Sequence, residues 1–169
     1  MIAWVALIIW PMICIALFRK LSLPMALSIT IIGGYLLLPE GIGYDLPVLP
    51  SLDKHSIPVL TAFILTIIAL GRGEHRLQMP SGWLPRNLVA LSLLGMLIVG
   101  CFAMVLTNQD PLSYGPRFIP GMKLYDAFAF SLIVVMSLIP MLLARRILAT
   151  PEAQTTLLVM VVVTTVLYT

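Results

Sequence analysis

The stretch Leu88-Val89-Ala90-Leu91-Ser92-Leu93-Leu94-Gly95-Met96-Leu97-Ile98-Val99-Gly100-Cys101-Phe102-Ala103-Met104-Val105-Leu106 contains no charged residue and no proline. Nineteen such residues, each rising 1.5 Å, make a helix of about 28 Å, close to the hydrocarbon thickness of a bilayer. Read outward from it, the chain repeats the theme. Residues 1–18, 23–38, 56–70, 124–144 and 156–169 are also apolar runs.

The 169-residue sequence is 60% hydrophobic and 10% charged, against about 25% charged in an ordinary soluble domain. A soluble core cannot absorb that much apolar surface, so the expected fold class is all-α: a polytopic integral membrane helical bundle of about six transmembrane segments. The last segment is still apolar at Thr169, and reads as truncated. The connections are too short to hold a soluble domain, so residues 1–169 read as a single transmembrane domain, the N-terminal part of a longer protein.

Local residues mark the expected helix ends. Arg19-Lys20 and Arg145-Arg146 close the first and fifth segments. Ser22 is placed to cap the second, with Pro24 in its first turn, where the missing N–H costs little. Pro58 stands similarly in the third, which begins at Ser56 or as early as Leu52. Gly33-Gly34 offers a face for close helix packing, and Pro11 is expected to kink the first helix. The sixth segment begins after Thr150-Pro151-Glu152.

The net charge of +3 would raise the question of nucleic acid in a soluble protein. Here the cations sit in short clusters beside apolar runs, which is a topology signal instead. Arg19, Lys20, Arg72, Arg76, Arg86, Arg145 and Arg146 occupy alternate connections, against Lys54, Arg117 and Lys123 in the others. The positive-inside rule therefore puts the first, third and fifth connections in the cytoplasm and the N-terminus outside. Cys14 and Cys101 lie inside apolar runs, far from any partner at metal-ligand spacing, and read as reduced packing residues. No cofactor or metal is expected.

Two proline-rich external connections carry the candidate chemistry. In the first, Asp53-Lys54-His55 reads either as an acid–base cluster or, the better reading, as a cap with Asp53 at the positive end of the next helix. The segment from Pro39 onward is either a stiff surface loop or a re-entrant piece lining a lipid-accessible cavity. In the second, Arg117, Lys123 and Tyr114 are the candidate substrate-binding residues, because Arg grips a phosphate bidentately and Lys adds a point charge. Contacts to lipid headgroups are the competing reading. Asp126 reads as a helix-start acid, and His75 as a solvated loop residue with no ligand partner at helical spacing.

Tyr35-Leu36-Leu37-Leu38-Pro39-Glu40, Leu46-Pro47 with Leu49-Pro50 and Leu52-Asp53-Lys54, and Asp110-Pro111, Tyr114-Gly115, Pro120-Gly121 and Tyr125-Asp126 form a series of loop landmarks. Together with Pro140-Met141 and Arg145-Arg146 it resembles the N-terminal portion of bacterial O-antigen ligase and polysaccharide polymerase family proteins. The resemblance implies a multi-pass protein of the bacterial inner (cytoplasmic) membrane. Its partners would be membrane lipid and a polyprenyl-pyrophosphate-linked glycan, worked on at the periplasmic face without a metal. Members of that family carry their key Arg and His residues in a later periplasmic loop, so no catalytic residue transfers to this chain. Many also start in the cytoplasm, whereas the charge count here places the N-terminus outside. A noncatalytic accessory membrane subunit is the alternative, and a transporter or flippase a more distant one.

Overall fold

A computed structural model describes residues 2–44, 51–72 and 82–168. Asp45 to Pro50 and the Glu74-His75-Arg76 cluster lie outside the described residues. The described chain is mostly helical: α1 (Ile2–Lys20), α2 (Leu23–Leu37), α3 (Ser56–Gly71), α4 (Leu88–Thr107), α5 (Leu124–Ile147) and α6 (Pro151–Tyr168). A two-stranded antiparallel hairpin, β1 (Leu112–Tyr114) and β2 (Arg117–Ile119), joins α4 to α5.

Two of these helices, α4 and α5, are long and apolar enough to cross a membrane, with mean hydropathies of 2.6 and 2.5. The expectation of about six spans is corrected accordingly, since α2, α3 and residues Pro151–Val166 of α6 are shorter apolar helices. The 16 residues of α3 rise about 24 Å, short of a hydrocarbon layer of about 30 Å. Two boundaries also shift. Arg145-Arg146 does not end α5, which runs on to Ile147, because cations in a last turn complement the helix dipole rather than break the helix. In α6 helical structure begins at Pro151, a residue suited to the first helical position.

The helices pack around two apolar clusters. The larger joins Leu23 and Leu27 of α2, Val59 and Ala62 of α3, Ile139 and Leu143 of α5, and Ala153 of α6. The smaller holds Leu7, Trp10 and Cys14 of α1 with Leu38. Both cysteines are free and buried. Gly33 and Gly34 are the close-packing face that the sequence suggests. A Cβ on Gly33 would meet the Trp10 ring at 3.0 Å, and one on Gly34 would run into Pro58. Between the two clusters α2 is not a regular α-helix, since Ile29–Gly33 forms a π turn.

The connections sort to two ends. Leu70 and Gly71 share a cavity with Trp83 and Arg146, and Ser22 to Pro24 share another with Thr150 to Ala153. The first, third and fifth connections, the ones rich in Lys and Arg, therefore lie at one end. Arg146 stacks over the Trp83 ring, 5.0 Å from its centroid.

At the other end the levels differ. The start of α3 lies beside Ile133, Met136 and Ser137 of α5, which are halfway along that helix. The first nine residues of α5, about 14 Å of rise, extend beyond the start of α3 together with the hairpin. Phe102 of α4 and Phe128 of α5 meet edge to face in this extension, 5.4 Å between centroids.

Candidate functional site: a recessed polar cavity and an exposed hairpin

Two short stretches place the polar side chains. The first is the α2–α3 connection, whose described ends are tied by a reciprocal backbone pair: Tyr44 N–H donates to Leu52 O at 3.0 Å and Leu52 N–H to Tyr44 O at 2.9 Å. Just after this bridge Asp53 caps α3. Its Oδ1 accepts from the His55 and Ser56 backbone N–H groups, both at 2.9 Å, and lies 3.2 Å from the Ser56 hydroxyl, whose shortest acceptor is Ser51 O at 2.7 Å. The Asp53 N–H donates in return to Ser56 Oγ at 2.8 Å. This is a capping box with serine in place of the usual Glu or Gln.

Capping is thus the role the structure gives Asp53, as the sequence favoured. Burial works to raise its carboxyl, but the donors from Ser56 and His55, with the charge of His55, outweigh it and hold the group below its ordinary value of 3.8. A carboxyl lowered in the folded state contributes its stability above the ordinary value, and loses it as pH falls through the lower folded value. Thermal stability of the wild type is therefore expected to fall between about pH 5 and about pH 3 more steeply than that of Asp53→Asn. A melting series across that range checks this. At neutral pH Asp53→Ala should cost about 1 kcal/mol.

Around this cap lies a cavity of about 220 Å³, lined by Tyr35, Ser51, Asp53, His55, Ser56 and Val59 and by Ile133, Met136 and Ser137 from α5. The Tyr35 and His55 rings are 5.5 Å apart. Beside it a second recess of about 290 Å³ shares Ser51, Asp53 and His55 and adds Glu40 and Lys54, which form an ion pair at 3.0 Å. The described residues of this connection line both recesses. Sequence reasoning missed Tyr35, Ile133, Met136 and Ser137, because only the packing of α3 against α5 brings them to the loop.

The second stretch is the α4–α5 hairpin. Its turn is Gly115-Pro116, where Gly115 adopts a φ of 56° as tight hairpin turns require. Met122 N–H donates to Asn108 O at 2.9 Å and closes the base, and Gly121 there lies directly against the Gln109 backbone, leaving no room for a side chain. Tyr114 and Arg117 are directly paired across the strands and so share one face; both are exposed. Lys123 stands at the foot of the hairpin, where its backbone caps α5: Lys123 N–H donates to Asp126 Oδ2 at 2.7 Å and Asp126 N–H to Lys123 O at 2.8 Å. Two of the three candidate residues are therefore neighbours at the tip, while the third is separated from them by the length of β2.

No family model, no curated protein and no solved structure matches the chain. Among the described residues no group of His, Cys, Asp and Glu is arranged to hold a metal ion.

Proposed function

We propose that the chain is the N-terminal membrane portion of a bacterial inner-membrane glycan polymerase or O-antigen ligase. Its complete form would act on polyprenyl-pyrophosphate-linked oligosaccharide at the periplasmic face. In this reading α4 and α5 cross the bilayer, the shorter helices accompany them, and the basic end faces the cytoplasm. The polyprenyl tail stays in hydrocarbon beside α4 and α5, while the pyrophosphate meets Arg117 and then Lys123. Tyr114 contributes a hydroxyl or a ring face for the first sugar.

The observation that carries the reading is the exposed hairpin, a cation and a tyrosine side by side at the end of the two helices long and apolar enough to cross a membrane, and a second cation at its foot. An accessory subunit without chemistry is the second reading. It draws on α4, of whose 20 residues Cys101 and Val105 are the buried ones, leaving an apolar surface suited to partner helices.

The test is binding of undecaprenyl pyrophosphate to the purified chain in lipid nanodiscs. Hydrogen bonds to charged groups contribute about 1.5–3 kcal/mol each, so Arg117→Gln with Lys123→Gln is expected to weaken binding by at least about tenfold. Equal binding by wild type and the double variant would overturn the role of the hairpin and favour the accessory subunit.

A further inference from the structure

The cavity beside Asp53 holds polar groups at an unusual depth. Its α5 wall, Ile133 to Ser137, lies about 14–20 Å along the helix from Leu124 and about 15–21 Å from Ile147. If α5 crosses the bilayer, the cavity is near the midplane, where polar groups are costly and generally have a function. Ile133 and Ser137 are exposed, so the cavity opens sideways between α3 and α5 toward the surface that lipid would cover.

The charges nearby are already engaged. Lys54, whose side chain is 15% exposed, is paired with Glu40, and Asp53 Oδ1 holds the start of α3 through two backbone donors. A charged ligand would bring an unpaired charge to this depth, which is strongly unfavourable. What remains open is hydrogen-bonding capacity that hydroxyl groups can meet without bringing in a charge. Among the described residues the Tyr35 hydroxyl, the His55 imidazole and Asp53 Oδ2 make no hydrogen bond. The Ser137 hydroxyl donates to Ile133 O at 2.9 Å, keeping its lone pairs. Val59, Ile133 and Met136 supply the apolar lining.

We propose that this recess is a binding site for an uncharged group bearing two or more hydroxyls, received from the membrane side. Tyr35 donates to one hydroxyl, Asp53 Oδ2 and Ser137 accept from others, and the C–H face of the ligand lies on Val59, Ile133 and Met136. The adjoining recess lets a larger polar group extend toward Glu40 and Lys54. Together the two volumes reach the size range of small-molecule sites, about 300–1,000 Å³. This site is separate from the hairpin and stands or falls without it.

The chain has two histidines, His55 and His75, so 15N-histidine labelling of the full chain in nanodiscs, with His75→Gln to assign the signals, gives a reporter in the cavity. Free glucose, octyl glucoside below its micelle concentration and inorganic pyrophosphate are titrated in turn. A saturable shift of the His55 signal is expected with a glucoside, and no effect with pyrophosphate. A response to octyl glucoside alone supports entry from the membrane; an equal response to glucose would overturn it. Loss of one neutral hydrogen bond makes Tyr35→Phe and Ser137→Ala each weaken binding about threefold to tenfold. No saturable shift, a shift with pyrophosphate, or unchanged affinity in both variants would overturn the proposal. Using two variants protects the test against misfolding of either.

Discussion

Replacing Gly34 with alanine is expected to destabilise the protein by about 2–3 kcal/mol, the upper part of the range for overpacking a tight core. The added methyl would occupy the position of the Pro58 ring and lie 3.2 Å from the Trp10 indole nitrogen. Neither neighbour yields easily, because Pro58 is a fully buried ring in the first turn of α3 and Trp10 is itself buried in the smaller cluster. The strain therefore reaches α1, α2 and α3 together. Gly95→Ala in α4 is the control, since a Cβ there meets nothing within 4 Å and alanine is the better helix former by about 1 kcal/mol. Thermal melting in one detergent should show Gly34→Ala well below wild type and Gly95→Ala level with it or above. Equal melting of the two glycine variants would mean that α2 and α3 do not approach as described.

Leu143→Ala should cost still more. Leu143 is fully buried at the centre of the cluster that α2, α3, α5 and α6 share, and Leu→Ala substitutions at such sites cost about 2.7–5 kcal/mol, depending on how far the cavity collapses. It is buried in a cluster drawn from four helices, so little collapse is expected and about 4 kcal/mol is the expected loss. Leu97→Ala, on the exposed side of α4, removes the same atoms without leaving a cavity and should change stability by less than about 1 kcal/mol. The comparison is made by melting or by urea titration in detergent. A small effect at Leu143 would show that α5 does not pack on α3 as described, and would remove the wall of the recessed cavity as well.

Features carried by neighbouring residues were legible in the sequence. Asp53 three residues before Ser56 marks a cap, Asp126 marks the start of α5, and Gly33-Gly34 marks a close approach. The apolar run 88–106 matches a helix of membrane length. The hairpin was not foreseen, although Leu112-Ser113-Tyr114-Gly115-Pro116-Arg117-Phe118-Ile119 holds two three-residue strands around a Gly-Pro turn. Strands that short, bounded by Pro111 and Pro120, show too little alternation to separate from loop. The cavity could not be read either, because Tyr35, Asp53 and Ser137 are distant in sequence and meet only through helix packing. The number of spans was overcounted for a different reason. Apolar composition alone does not distinguish a helix that crosses a bilayer from a shorter one packed against it.

The π turn in α2 sets which way its two halves face. In a regular α-helix, residues seven apart lie about 20° apart around the axis, so Gly34 would sit above Leu27 and point at the same neighbours. A π turn takes in one residue more than an α turn, which swings everything after it by about 100°. Leu27 can then face the cluster of α5 and α6 while Gly33 and Gly34 face Trp10 and Pro58. The spacing between Leu27 and Gly34 is thus a matter of phase, and homologous chains of this architecture are expected to keep its length while its side chains drift. A one-residue deletion there would leave α2 as apolar as before, yet rotate the notch that receives Trp10 away from it.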